Sequence, residues 1–308
     1  MRSYNSCQRR WWLLSALSVV VVVLKIAASW FAAETPVCSK EPVHELKGSD
    51  IWDSGIRFEI DHHRKWTCGE SCYGPMEGWF QYERSTKLSG KPVEPHATRI
   101  CEVIYKVYGN ESRENVRLML DHGAGPFTNL GTQFTCPDSS LAKQVDAQVI
   151  AVDPLAPLYN GVLNEFKIYR TLRTAYCPSE ILTTCIGENV VDFSIIINAL
   201  DHSVNPLEGF KQALRVTRVG GISCIYSVKN EAEHQGATGF HQWNFDVDIK
   251  GHWIIKGTGE YATKQVDVTR SVSHFAKQID TGLVGSLLGS NPVPSTHMFL
   301  CFQKLSSV

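Results

Sequence analysis

The sequence lacks any excess of charge. Thirty Lys and Arg stand against 31 Asp and Glu in 308 residues, a net of -1. That balance gives no long-range attraction for a phosphate backbone, so nucleic acid is excluded as an expected partner. Cysteine is also sparse for the length: ten residues are too few for a disulfide-scaffolded mini-protein, although several can pair in an oxidising compartment. No internal repeat is present, and no low-complexity tract apart from one valine run. What is present in quantity is apolar: 43% hydrophobic against 20% charged residues suffices for a packed core, in one large domain or two small ones.

The valine run lies in the segment Trp11–Ala33, WWLLSALSVVVVVLKIAASWFAA, whose one charge is Lys25. Its Leu, Val, Ile and Phe residues each favour insertion by about 0.3 to 0.6 kcal/mol, enough together to offset one central lysine at about 3 kcal/mol. Arg2, Arg9 and Arg10 precede it, and by the positive-inside rule they stay in the cytosol. This predicts a cytosolic tail at 1–10, a transmembrane signal anchor at 11–33 and a type II single-pass protein facing the Golgi or endoplasmic reticulum lumen. The alternative is a cleaved signal peptide and secretion, since Ala27, Ala28 and Ser29 follow the apolar run. In either case Asn110-Glu111-Ser112 is a usable glycosylation sequon.

Residues 34–97 are rich in Trp, Gly, Pro and charge without a sustained period, and read as a stem followed by a helical lid or cap. Cys38, Cys68 and Cys72 fall here. No second cysteine pair or paired histidines follow at zinc spacing, so these are expected to be structural disulfide partners, and His62-His63 a solvated surface pair. No metal site is assigned. From residue 98 to 308 short β-rich runs alternate with amphipathic stretches, the pattern of βαβ units. Strands are predicted at Val116–Leu120, Val149–Val152, Phe193–Asn198, Ile222–Val228 and Met298–Phe302. A helix opened by Pro206 is expected to stop at Gly220-Gly221.

The run Leu118-Met-Leu-Asp121-His-Gly123-Ala-Gly125-Pro126 is an apolar strand leading into a glycine turn, which lets backbone approach a ligand. Thr128 occupies the place of a third glycine, so the dinucleotide fingerprint is incomplete. A second strand ends in Asp153, placed to accept bonds from two ribose hydroxyls. The 28 residues from Gly125 to Asp153 exceed the ~20 of the dinucleotide pattern, and a loop insertion around Cys136–Ser140 accounts for the difference.

Two further runs follow: Val191-Asp192-Phe-Ser-Ile-Ile-Ile-Asn198-Ala-Leu-Asp201-His202, and Arg215-Val-Thr-Arg218-Val-Gly220-Gly221. In this order the motifs resemble those of the class I S-adenosylmethionine-dependent methyltransferases, broadly the type 11 group, over about Asn115 to Trp253. The resemblance implies an α/β Rossmann-like methyltransferase fold: a mostly parallel seven-stranded sheet with an antiparallel C-terminal strand and helices on both faces. It implies S-adenosyl-L-methionine as cofactor, with Asp121, Gly123 and Gly125 at its methionine end and Asp153 at its ribose. Ser179 and Glu180 fall where such enzymes meet adenine, but Pro178 replaces the usual acid. Asn198, Asp201 and His202 fall at the carboxyl end of the fourth core strand.

Methyl transfer to a hydroxyl or amine calls for a group that takes its proton, and histidine suits that near neutral pH. His202, beside Asp201, is the first candidate and His241 the second. Trp243 is either a flank for the acceptor or a packing residue. The acceptor is a small molecule or glycan, with carbohydrate preferred on location alone. Three rival readings stand beside this one. A Golgi glycosyltransferase would use Asp246 and Asp248 as a DxD metal site. An NAD-dependent oxidoreductase lacks its third glycine and any Tyr-x-x-x-Lys set. A methyltransferase-like binding module without activity has only Pro178 in its favour.

Overall fold

The computed structural model describes residues 50–70, 78–94, 96–137, 145–169, 171–284 and 297–308. The cytosolic tail, the Trp11–Ala33 anchor, Cys38 and Cys72 lie outside them. Among the described residues no helix is long and apolar enough to cross a membrane.

Among the described residues eight strands make the main sheet: β1 Leu118–His122, β2 Gln133–Thr135, β3 Asp146–Asp153, β4 Ala175–Tyr176, β5 Val191–Ile197, β6 Thr217–Val228, β10 Ala276–Val284 and β11 His297–Lys304. Their order is β10-β11-β6-β5-β1-β3, and β3 pairs with β2 near its start and with β4 at its end. The inner pairs β3/β1, β1/β5 and β5/β6 are parallel, while β11 runs antiparallel between β6 and β10. This is the Rossmann-like methyltransferase fold that the sequence predicts, with eight strands instead of seven. The additional one is β2, which runs antiparallel to β3 and takes up part of the long interval between Gly125 and Asp153. Residues 138–140 of the expected insertion lie outside the described ones.

The central strands are near-continuous apolar runs because both of their faces are covered. Alternate residues serve opposite layers. Met119, Ile195 and Cys224 face one core, shared with Ala97, Ile100, Val103 and Ile104. Leu120, Ile196 and Ile225 face another, shared with Phe210, Ala213 and Leu214. The first helix is α3, His96–Tyr108, which runs across the 97/98 boundary read from composition. The second is α5, Pro206–Val216. The Asn205 side chain accepts from the Glu208 N–H, and Pro206 fills the first helical turn, so α5 begins where predicted.

Its end differs from expectation. α5 stops at Val216, and Gly220-Gly221 lies inside β6, where pairing with β5 slips between Val191 and Phe193. Gly220 has φ +80°, and a Cβ on Gly221 would lie 2.7 Å from the Asp192 carbonyl oxygen. The glycines thus permit a bulge in a strand and do not cap the helix.

A second sheet, β7 Trp243–Val247, β8 Trp253–Gly257 and β9 Gln265–Asp267, is antiparallel and adds Trp243, Phe245, Trp253 and Ile255 to the α5 core. Disulfides join Cys101 to Cys136, Cys177 to Cys185 and Cys224 to Cys301, and Cys68 is disulfide-bonded as well. Within the expected lid, α1 Asp50–Cys68 and α2 Gly78–Leu88 are helical. α4, Ala156–Glu165, follows β3 and meets α1.

Candidate functional site

The order in which the chain adds its strands reverses between β1 and β5, which remain parallel, and the crevice at the carboxyl ends of such strands is where open α/β sheets bind ligands. The glycine turn lies there. Asp121, wholly buried, accepts from Thr128 Oγ1 at 2.6 Å and from the Asn129 N–H at 3.0 Å through Oδ2. Thr128, standing where a third glycine was sought, is therefore the anchor of the turn. Among the described residues Asp121 Oδ1 has no hydrogen-bond partner, and burial raises its pKa. Gly123 has φ +77°, and a Cβ there would lie 2.4 Å from that of Ala199, so close packing of the turn against the end of β5 requires glycine.

Gly125 has φ +60° and donates its N–H to Asp153 Oδ2 at 3.1 Å, while Asp153 Oδ1 accepts from the Leu155 N–H at 2.7 Å. The glycine turn and the acid at the end of β3 thus meet directly. Burial pushes the Asp153 carboxyl up to about 6, against the pull of these two bonds.

The lid helix closes this crevice. Gly55 lets α1 approach the Phe240 ring, since a Cβ there would fall 2.6 Å from it. Trp66 packs on Phe127 of the glycine turn with ring centroids 5.2 Å apart, and Arg64 pairs with Glu165 of α4 at 3.2 Å. His62 is exposed, but His63 is a correction to the expected surface pair: its ring lies over Gly125 and meets Tyr159 edge-on at 5.0 Å. Burial lowers the His63 pKa, and burial near Asp153 raises that of Tyr159.

At the end of β5, Asp201 is fully buried and accepts from His241 Nδ1 at 2.7 Å. His202 Nε2 is 3.2 Å from the same His241 nitrogen and 3.6 Å from Asp201 Oδ2. Although burial works against both ionised forms, the two imidazoles lower the Asp201 pKa and the Asp201 bond raises that of His241. His241, ranked second from sequence, is thus the histidine held by the buried acid. Glu59 of α1 reaches the same point: ligand atoms of Glu59, His202 and His241 all lie within 4.8 Å of one another. A void of about 10 Å³ adjoins His202, Ser203, Gly239, Phe240 and Tyr261. That is space for about one water molecule.

Other predicted site residues have structural partners. Ser179 Oγ is 2.8 Å from Nε2 of buried His122. Glu180 accepts from the Asn205 N–H at 3.1 Å, at the start of α5. Asn198, exposed and in the left-handed region at φ +47°, accepts from the Val228 N–H and so pins the turn after β5. Trp243 is buried, donates Nε1–H to the Ser203 carbonyl at 2.8 Å and stacks on Tyr261. The DxD carboxylates are engaged elsewhere: Asp246 pairs with Lys229 at 2.9 Å, and Asp248 accepts from the backbone of Lys250 and His252. Sequence reasoning missed Glu59, His63 and Tyr159, which belong to helices without a recognisable motif.

No family model matches the chain, and no curated protein matches it. Solved structures similar to it include a 1,6-didemethyltoxoflavin-N1-methyltransferase from Burkholderia thailandensis with bound S-adenosylhomocysteine, at 13% identity and TM-score 0.42, covering 87% of this chain and 93% of that one. A SAM-dependent methyltransferase from Thermotoga maritima is 14% identical with TM-score 0.42, covering 82% and 99%. Another, from Clostridium acetobutylicum, is 13% identical with TM-score 0.40, covering 70% and 93%. Likeness at this level carries nothing about reaction or substrate.

Proposed function

We propose that this chain is an S-adenosylmethionine-dependent methyltransferase whose cofactor crevice lies at the carboxyl ends of β1 and β3, beneath α1. The observation that carries this reading is the hydrogen bond from the Gly125 N–H to Asp153 Oδ2, which joins the glycine turn to the ribose acid in the order of the motifs. The unpartnered Asp121 Oδ1 is a buried acceptor at the same turn, as a cationic amino-acid moiety requires. The residues therefore fit the cofactor: Asp121 and the turn would hold its methionine end and Asp153 its ribose hydroxyls. When bound, the cofactor supplies an electrophilic methyl group on a sulfonium. The His63 ring covers Gly125, so a bound cofactor would displace this side chain.

The protein's own chemical contribution is modest. Asp201 fixes the His241 tautomer by accepting from Nδ1–H, which leaves Nε2 as the basic nitrogen for a hydroxyl or amine proton. The acceptor is a small molecule or a glycan hydroxyl. The disulfides support an oxidising, luminal or secreted location, and exposed Asn110 is consistent with glycosylation. The partners of Asp246 and Asp248 weigh against the glycosyltransferase reading.

Titration of the purified full-length protein with S-adenosylhomocysteine, and separately with a nucleotide sugar plus manganese, tests the proposal. Heat with the first alone supports it. Heat with the second alone overturns it.

A further inference from the structure

We propose that Glu59, His202 and His241 form a site for one divalent transition-metal cation, with Asp201 as the carboxylate that orients His241. Two imidazoles and one carboxylate are a donor set suited to zinc, iron or nickel, and less to magnesium or calcium, which prefer all-oxygen shells. Donors about 2.0–2.2 Å from a shared ion in tetrahedral geometry stand ~3.4 Å apart. Here they all lie within 4.8 Å before any ion draws them in, so closure needs side-chain adjustment and no change of fold.

The surroundings support coordination over coincidence. The ligands come from three separate places: the lid helix α1, the turn after β5 and the approach to β7. The fold, and no local run of sequence, brings them together. Metal-bound histidines characteristically give their second ring nitrogen to a carboxylate. Asp201, fully buried, holds His241 at Nδ1, the nitrogen that also stands 3.2 Å from His202 Nε2, so coordination through the free Nε2 requires the two rings to turn apart. Glu59, with a side chain 13% exposed, and Asp201 bring two carboxylates to two imidazoles, and Glu231, also buried, adds its field at His241. Glu59 also lies 3.6 Å from His63 Nε2, so three carboxylates and three imidazoles meet here, and a bound cation would draw Glu59 from His63 to the ion.

Three protein ligands leave a position open for a water, and the one candidate ligand that lines the void of about 10 Å³ is His202. A hydroxyl on the ion loses its proton more readily, which would pass the activation of the acceptor from His241 to the metal. Metal binding itself does not depend on the methyltransferase reading.

Calorimetric titration of chelator-treated full-length protein with Zn²⁺ at pH 7.5 tests it, with metal content measured after dialysis. The expected result is one ion per chain, bound more than tenfold more weakly by Glu59→Gln and by His241→Ala, and 10- to 100-fold more weakly by Asp201→Asn. Asp246→Asn, in the DxD run, should leave the affinity unchanged. Glu59→Gln decides the matter should His241→Ala fail to fold, because it keeps the size and polarity of the side chain. Absence of binding, or binding that Glu59→Gln leaves intact, overturns the site, and neither result bears on S-adenosylhomocysteine binding.

Discussion

The carboxylate of Asp201 and Nδ1 of His241 lie 2.7 Å apart, with the acid fully buried and the histidine arriving 40 residues later from the approach to the small sheet. A buried acid that holds an imidazole in one tautomer is a positioning residue. Asp201→Asn should therefore lower turnover of S-adenosylmethionine about 10- to 100-fold, while the affinity for S-adenosylhomocysteine changes less than twofold. A parallel loss of both would make Asp201 a residue of the fold alone.

Asp153 links pH to both ligand affinity and stability, with opposite signs. Its pKa is raised from 3.8 to about 6, so the folded protein keeps this proton over a range in which the unfolded chain has lost it. The empty protein therefore loses stability from this group as pH rises from about 4 to about 6, by roughly 3 kcal/mol in all, and nothing further above that. Asp153→Asn should flatten that part of the profile in denaturant titrations at pH 4.5 and 7. Cofactor affinity should run the other way in the unmodified protein, falling as pH drops through about 6, because the neutral acid is a weaker acceptor for ribose hydroxyls.

The two turn glycines should separate folding from binding. Gly123→Ala places a methyl 2.4 Å from the Ala199 Cβ at φ +77°, and is expected to cost about 2–4 kcal/mol in urea unfolding. Gly125→Ala meets only the His63 ring at 3.7 Å, so its stability cost should be about 1–2 kcal/mol for the left-handed backbone, with a larger loss of cofactor affinity. Equal effects of the two on stability would show that Gly125 is as tightly packed as Gly123.

Cys224 and Cys301 face each other in the antiparallel pair β6/β11 and close a loop of 77 residues. Replacing both by Ala should cost about 2–5 kcal/mol, since the reduced chain regains the entropy of that loop. Thermal unfolding of the double variant against the unmodified protein, both without reductant, measures it. An unchanged midpoint in the double variant would contradict the disulfide.

The sheet was legible in the sequence because strands buried on both faces are plain apolar runs: β3, β5, β6 and β11 lie where Val149–Val152, Phe193–Asn198, Ile222–Val228 and Met298–Phe302 predict them. The glycine turn and Asp153 were legible for a related reason, since strand ends carry local motifs. Glu59, His63 and Tyr159 were not. Their roles arise from how α1 and α4 lie across the crevice, a tertiary relation that leaves only ordinary amphipathic helices in the chain. His202 outranked His241 in sequence because the motif order puts it, directly after Asp201, at the cofactor crevice. Yet adjacent side chains leave the backbone in different directions, and the fold gives the short bond to the distant histidine. Gly220-Gly221 misled because glycine serves both to end helices and to admit bulges, and only the pairing register distinguishes the two.

The central claim, a cofactor held between the glycine turn and Asp153, is tested most directly by the S-adenosylhomocysteine dissociation constant of Asp153→Asn against that of the unmodified protein at pH 7.5. Loss of charge-assisted bonds worth about 1.5–3 kcal/mol each predicts an increase of at least tenfold with the fold intact. An unchanged constant, or no binding by the unmodified protein, would contradict the account.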